Sequence, residues 1–202
     1  MNIKLLKSFC FVLFAIVNFF IFIKKGVRSN TKLLNIKGIP KIRGKGIISI
    51  GKGSRLNSGM TFNPIGGDNR ILFVCSLGAE IIIGENCGLS NCCIVSKKKV
   101  TIGNNVLVGG SVKIYDTDFH SLSFLDRRDN FQDQKSIVSK EINIGNDTFI
   151  GAHSIILKGV SIGQCSIVGA GSVVTKSIPA YEVWGGNPAS FIKNIESKHA
   201  KN

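Results

Sequence analysis

The sequence predicts an all-β solenoid: a stack of coils made of short parallel strands, preceded by an apolar N-terminal helix and interrupted by one long polar loop. Three observations carry this expectation. Apolar residues recur every six positions through the C-terminal half. Glycine is abundant at 23 residues while proline is scarce at 4, which suits many tight turns and excludes a collagenous or proline-rich chain. A single run of apolar residues stands apart near the N-terminus.

The repeat is clearest from Ile144, through Ile150, Ile156, Ile162 and Val168, to Val174. Gly145, Gly151, Gly163 and Gly169 follow directly, and small or β-branched residues such as Thr148, Ser154, Ser166 and Ser172 come four positions on. A period of six is no multiple of 3.6, so an amphipathic helix is excluded. It is a multiple of the strand period of two, so the same face stays inside from one repeat to the next. An upstream block reads Ile71, Leu77, Ile83, Leu89, Val95, then shifts by one residue to Ile102, Val108 and Ile114. Ile50, Leu56 and Phe62 come earlier still. Stacking such units pairs each strand with those one coil away.

The N-terminal run, Ser8 to Ile23, reads SFCFVLFAIVNFFIFI, with Lys4 and Lys7 before it and Lys24, Lys25, Arg28 and Lys32 after it. It is slightly short of the roughly 20 residues of a membrane span. No small-residue cleavage site follows, which argues against a signal peptide. Three arrangements stand: a single span, a helix lying in the membrane surface on anionic lipid, and a helix capping the main domain. Residues 1–30 are read as a membrane-associating segment. The excess of positive charge after the run places the remaining chain in the cytoplasm, at the inner face of a bacterial plasma membrane.

The net charge of +14 supports this division. Residues 1–49 carry ten basic and no acidic side chains, and the remaining residues carry sixteen and twelve. The excess belongs to one end, so a nucleic-acid-binding domain is not expected. Disorder is excluded by an apolar fraction of 44% and a positive mean hydropathy,. Cys10, Cys75, Cys87, Cys92, Cys93 and Cys165 have no zinc-finger spacing, and His120, His153 and His199 lie far apart. Reduced core or turn cysteines and no metal are expected.

Between Ile114 and Ile144 the repeat stops. The loop 115–143 is polar and carries Asp116, Asp118, His120, Asp126, Arg127, Arg128, Asp129 and Asp133. Long excursions from a rigid scaffold are where chemistry concentrates. His120, near the loop's start, is the candidate general base. Asp116 and Asp118 are near enough in sequence to orient one ring nitrogen, and Asp118 is the preferred partner.

These hexads resemble those of the hexapeptide-repeat acetyltransferases, and IGNNVLVGGSVKIYDTDFHSL resembles the active-site segment of the galactoside, maltose and xenobiotic members. The resemblance covers residues 50–195. It implies a left-handed parallel β-helix of about six coils, a homotrimer with sites between subunits, and acetyl-CoA as co-substrate. It implies a role for His120 in deprotonating an acceptor hydroxyl or amine. SNCCIV resembles the coil that bears a substrate-facing asparagine, here Asn91, and Asp116 is assigned to the acceptor beside it. Ile150-Gly151-Ala152-His153 and VGAGSVVTKSIP resemble cofactor-lining segments, which implies roles for Gly151, Ala152, Ala170, Thr175 and Lys176. GGNPASFIK resembles the family's terminal motif, with Lys193 at its second basic position and Ser190 replacing the first. Trp184 is read as an adenine-stacking residue or an apolar cap, and His153 as an exposed corner.

The expected organisation is a helix over 1–30, a β-helix acyltransferase domain over 31–180, and a C-terminal cap and tail over 181–202. The expected activity is acetyl transfer from acetyl-CoA to a hydroxyl of a sugar or glycan precursor. N-acetylation of an amino sugar and a non-catalytic membrane-attached scaffold are the alternatives. A metal-dependent hydratase on such a fold would need clustered histidines.

Overall fold

The computed structural model describes residues 3–63, 65–66 and 70–195, with the backbone alone for 3–11. The chain after the first helix winds into a triangular parallel β-helix with three faces. The first face is six-stranded and runs from Arg28–Ser29 through Ile47–Ile50, Glu80–Ile83, Lys99–Ile102 and Ile142–Ile144 to Ser161–Ile162. The third is also six-stranded, from Lys41–Gly44 to Val173–Val174. The second has eight strands, of which the last two, Glu182–Gly186 and Ala189–Asn194, form an antiparallel hairpin over the final coil.

The register shows why hexads specify this shape. Each inward residue sits on its counterpart one coil away: Ile50, Ile83, Ile102, Ile144 and Ile162 on the first face. Leu56, Leu89, Val108, Ile150 and Val168 stack on the second, and Phe73, Ile94, Ile114, Ile156 and Val174 on the third. These columns form one continuous core. The small residues of the repeat stitch coils at the corners, where the Ser54, Ser154 and Ser166 hydroxyls donate to carbonyls of neighbouring turns. Gly151 shows how tight a corner is. A Cβ placed there would lie 2.5 Å from the backbone nitrogen of Ala170 on the next coil.

Three upstream expectations need correction. Leu77 is 81% exposed, and Phe73 and Ile94, not Ile71, Leu77 or Val95, occupy the third-face column. The strands Leu72–Cys75 and Glu80–Ile83 are four residues long with two inward positions each, so counting by six drifts out of phase.

Helix α1, Ile3–Lys25, packs on the first coil. Phe22 joins the core, Phe14 meets Phe62 edge-on at 5.8 Å, and the buried Asn18 amide donates to the Gly38 carbonyl. The first strand starts at Arg28, inside the segment assigned to the helix by sequence. Among the described residues no helix is long and apolar enough to cross a membrane. His199 and the rest of the tail beyond Ile195 lie outside the described residues.

Candidate active site

The loop leaves the third face after Tyr115 and rejoins the first at Ile142. Its root is a buried carboxylate. Asp116 is fully buried and accepts three hydrogen bonds from the turn one coil below: Lys97 N–H at 2.7 Å, Lys98 N–H at 2.8 Å and the Ser96 hydroxyl at 2.8 Å. Its oxygens are committed to that turn. Asp116 is therefore a structural clasp and not the acceptor contact expected from sequence.

Beyond Asp116 the two strands of the loop close on each other. Thr117 bridges Ser139, and the Asp118 N–H donates to the Val138 carbonyl. Asp118 points to the coil above, where its carboxylate pairs with Lys158 at 2.7 Å. It does not touch the ring it was expected to orient.

The partner of His120 is Asp133. His120 Nδ1 lies 2.6 Å from Asp133 Oδ2, while Asp133 Oδ1 accepts the Ser121 N–H at 2.7 Å. Asp133 sits on a short helix α2, Asn130–Lys135, whose N-cap Asp129 accepts from the Gln132 N–H. Ser121 is itself pinned, with its hydroxyl donating to Asp126 and its carbonyl accepting from Arg127. The hydrogen bonds from His120 and then Ser121 hold the Asp133 carboxyl below the usual carboxylate range,. An ionised carboxylate only accepts, so Nδ1 is the donor of this bond and Nε2 is the nitrogen left to exchange a proton. Phe119, at φ +67°, makes the turn that presents the ring, and packs edge-on against Tyr115 at 5.1 Å. The His120 side chain is 67% exposed and Asp133 is buried. An exposed imidazole held through one ring nitrogen by a buried carboxylate is the arrangement a general base requires.

The other sequence-assigned residues divide between two corners. His120, Lys158, Thr175 and Lys176 rise along the edge between the third and first faces, with Thr175 and Lys176 exposed. Gly151, Ala152 and Ala170 occupy the edge between the second and third, where the Gly171 N–H donates to the Ala152 carbonyl. Within one chain the two groups are not brought together. Lys193 is exposed on the closing hairpin opposite Val183.

Asn91 is a corner residue at φ +38°, buried, with its side-chain oxygen accepting the Gly59 N–H at 2.8 Å. Its oxygen is thus committed to the turn one coil below. His153 is exposed at a positive-φ corner. Trp184 packs partly buried against the end of the core, and its indole N–H donates to Glu182 at 2.6 Å. It caps the coil. Among the described residues no cluster of side chains suits a metal ion.

Comparison with known proteins agrees with this architecture. Residues 141–176 match a family model described as the hexapeptide repeat of succinyl-transferase. No curated protein matches by sequence. A hexapeptide-repeat acetyltransferase of Vibrio cholerae O1 biovar eltor, solved with acetyl coenzyme A, is 30% identical. It aligns over 62% of this chain and 66% of its own, with a TM-score of 0.52. A galactoside acetyltransferase solved with coenzyme A is 28% identical over 85% of this chain and 66% of its own, with a TM-score of 0.56. The chain thus spans just under two thirds of the length of these two. The N-acyltransferase AntD of Bacillus cereus is 18% identical, with a TM-score of 0.63 over 98% of this chain and 91% of its own, and shows likeness of fold alone. The chain carries the hexapeptide repeat, and its fold is the left-handed parallel β-helix of the hexapeptide-repeat acetyltransferases.

Proposed function

We propose that the chain is an acetyltransferase that moves the acetyl group of acetyl-CoA to a hydroxyl of a sugar or glycan precursor, acting as a homotrimer. The single observation that carries this reading is the His120–Asp133 pair at 2.6 Å, standing beyond the stem of the long polar loop 115–143. The activities and bound ligands of the Vibrio cholerae acetyltransferase and the galactoside acetyltransferase support the donor and the acceptor class.

In this reading His120 Nε2 takes the proton of the acceptor hydroxyl as its oxygen attacks the thioester carbonyl. Asp133 stabilises the imidazolium through Nδ1–H. The tetrahedral adduct collapses with departure of the coenzyme thiolate, which receives the proton from His120. An acetyl ester and free coenzyme A result, and the imidazole returns to its starting state. Holding donor and acceptor beside one base removes the entropy cost of a bimolecular encounter. Exposed Leu122, Phe124, Leu125 and Phe131 around His120 offer an apolar surface to a neighbouring copy, and Thr175, Lys176 and Lys193 supply polar and cationic contacts for the coenzyme.

H120A is expected to lower acetyl transfer by at least about 10²-fold with the assembly's mass unchanged, measured by mass spectrometry of products from a panel of saccharide precursors. Near-wild-type turnover by H120A removes the assignment. Product mass and alkaline lability distinguish an ester from an amide. A scaffold without catalytic function would show no rise in Tm with acetyl-CoA, since only a ligand that binds the folded state stabilises it.

A further inference from the structure

Helix α1 has two apolar faces, and only one is used by the fold. On a helix of 3.6 residues per turn, Phe14, Asn18, Ile21 and Phe22 fall on one side, and these are the residues that meet the first coil. Val12, Leu13, Ile16, Phe19, Phe20 and Ile23 form the opposite stripe, and each is about half exposed or more, Phe20 at 65%. A groove lined by Phe19, Ile23, Val27 and Leu33 continues that stripe onto the first coil. An outward face this apolar on a surface helix marks an interaction site.

The charge around it identifies the partner. Lys24, Lys25, Arg28, Lys32, Lys37, Lys41, Arg43, Lys45, Lys52 and Arg55 are all exposed, and no acidic residue occurs before Asp68. A second copy docking here would bring the same cations to the same place. An anionic surface with an apolar interior satisfies both features.

We propose that this end of the solenoid is a membrane-docking surface, on which α1 lies in the plane of an anionic bilayer with Leu13, Ile16, Phe20 and Ile23 among the acyl chains and the basic collar on lipid phosphates. The docked face of α1 argues against a span. Asn18 and Phe22 hold the helix along the protein, so only its outer half is free for lipid. The cytoplasmic leaflet, which carries the anionic lipids, is the surface of matching charge, and the solenoid axis would carry the His120 loop away from it. This inference is independent of the proposed chemistry.

The test is co-sedimentation of the full-length protein with vesicles of phosphatidylcholine alone and of phosphatidylcholine mixed with phosphatidylglycerol. Each cation near an anionic surface strengthens binding by about fivefold, so partition into the mixed vesicles should be at least about tenfold stronger and should fall with salt. I16E/F20E should abolish partition, and K24E/K25E should remove the preference for phosphatidylglycerol, both with unchanged Tm. Alkaline carbonate should release the bound protein. Protein that stays in the supernatant with mixed vesicles overturns the proposal. So does binding that survives I16E/F20E or resists carbonate, which would indicate another contact or a span. A fall in assembly mass in I16E/F20E without vesicle binding assigns the face to a second copy, and also overturns it.

Discussion

The reassignment of Asp116 from acceptor contact to clasp makes a sharp prediction through D116N. Oδ1 accepts from Lys97, while Oδ2 accepts from both Lys98 and Ser96. An asparagine keeps an oxygen for Lys97 but turns an amino group toward the other two donors. Ser96 can adapt, because its hydroxyl also lies 3.0 Å from the Glu80 carbonyl; it can donate there and accept from the new amide. The Lys98 N–H cannot adapt. One stranded donor costs about 1–3 kcal/mol, and the other two bonds lose the assistance of charge. A total of about 2–4 kcal/mol follows, which for a chain of this size lowers Tm by roughly 4–16 °C. Differential scanning at fixed protein concentration, with acetyl-CoA absent, measures it. A second readout is the Cys75 thiol. Burial pushes it up to about 11 and the Asp116 charge adds to the rise, so D116N should bring its titration down. A variant with wild-type Tm, unchanged Cys75 titration and a greatly raised KM for the acceptor would show that Asp116 serves substrate, and the clasp argument would be wrong.

Other consequences can be measured alongside. D133N should reduce kcat by up to about 10⁴-fold and disturb the pH–rate profile, since it removes the group that fixes the tautomer of His120; a variant that changes only Tm would make Asp133 merely structural. The Asp133 carboxyl titrates below its ordinary value when folded, so its contribution to stability is complete above the usual carboxylate range and is lost as pH falls through the lowered value. Tm against pH should therefore show an acid limb that is shallower in D133N. L89A, emptying a fully buried second-face position, should cost about 2–5 kcal/mol in denaturant unfolding. G151A, whose new methyl meets the Ala170 backbone and not a movable side chain, should cost about 1–3 kcal/mol in the same measurement.

The solenoid was legible where the chain is most regular. From Ile144 to Val174 nothing is inserted at any corner, so the period of six and the coil of three hexads coincide, and the register follows directly. Below the loop the same rule misplaces Ile71 and Leu77. Strands lengthened to four residues, as at Leu72–Cys75 and Glu80–Ile83, are invisible to a count of apolar spacing when Leu and Ile also occur in turns. His120 was reachable by type and position, but its partner was not. Asp133 is thirteen residues away, brought back by a two-stranded stem and a one-turn-and-a-half helix, whereas sequence proximity favours Asp118. Asp129 and Asp133 spaced four apart around Asn130 were the available sign of a capped helix. For α1, apolarity all round suggested membrane contact, but the division into a docked and a free face depends on where Asn18 and Phe22 meet the first coil.

The hairpin Glu182–Asn194 closes the second face by turning its last strand back antiparallel, with Trp184 and its outer partner Phe191 across the top. At the other extremity α1 lies on the first coil. A stack of parallel strands ends in rows of unpaired N–H and C=O groups, each a template for another copy of the same strand. Finite coil number is therefore a property maintained by the two lids and not by the repeat, which has no intrinsic length. A chain shortened to Ile178 would keep every hexad of the core, yet it would leave the edge of Ile167–Val168 open to end-to-end growth. For this fold, resistance to end-to-end growth is decided at α1 and at the hairpin Glu182–Asn194, far from the side chains that decide its stability.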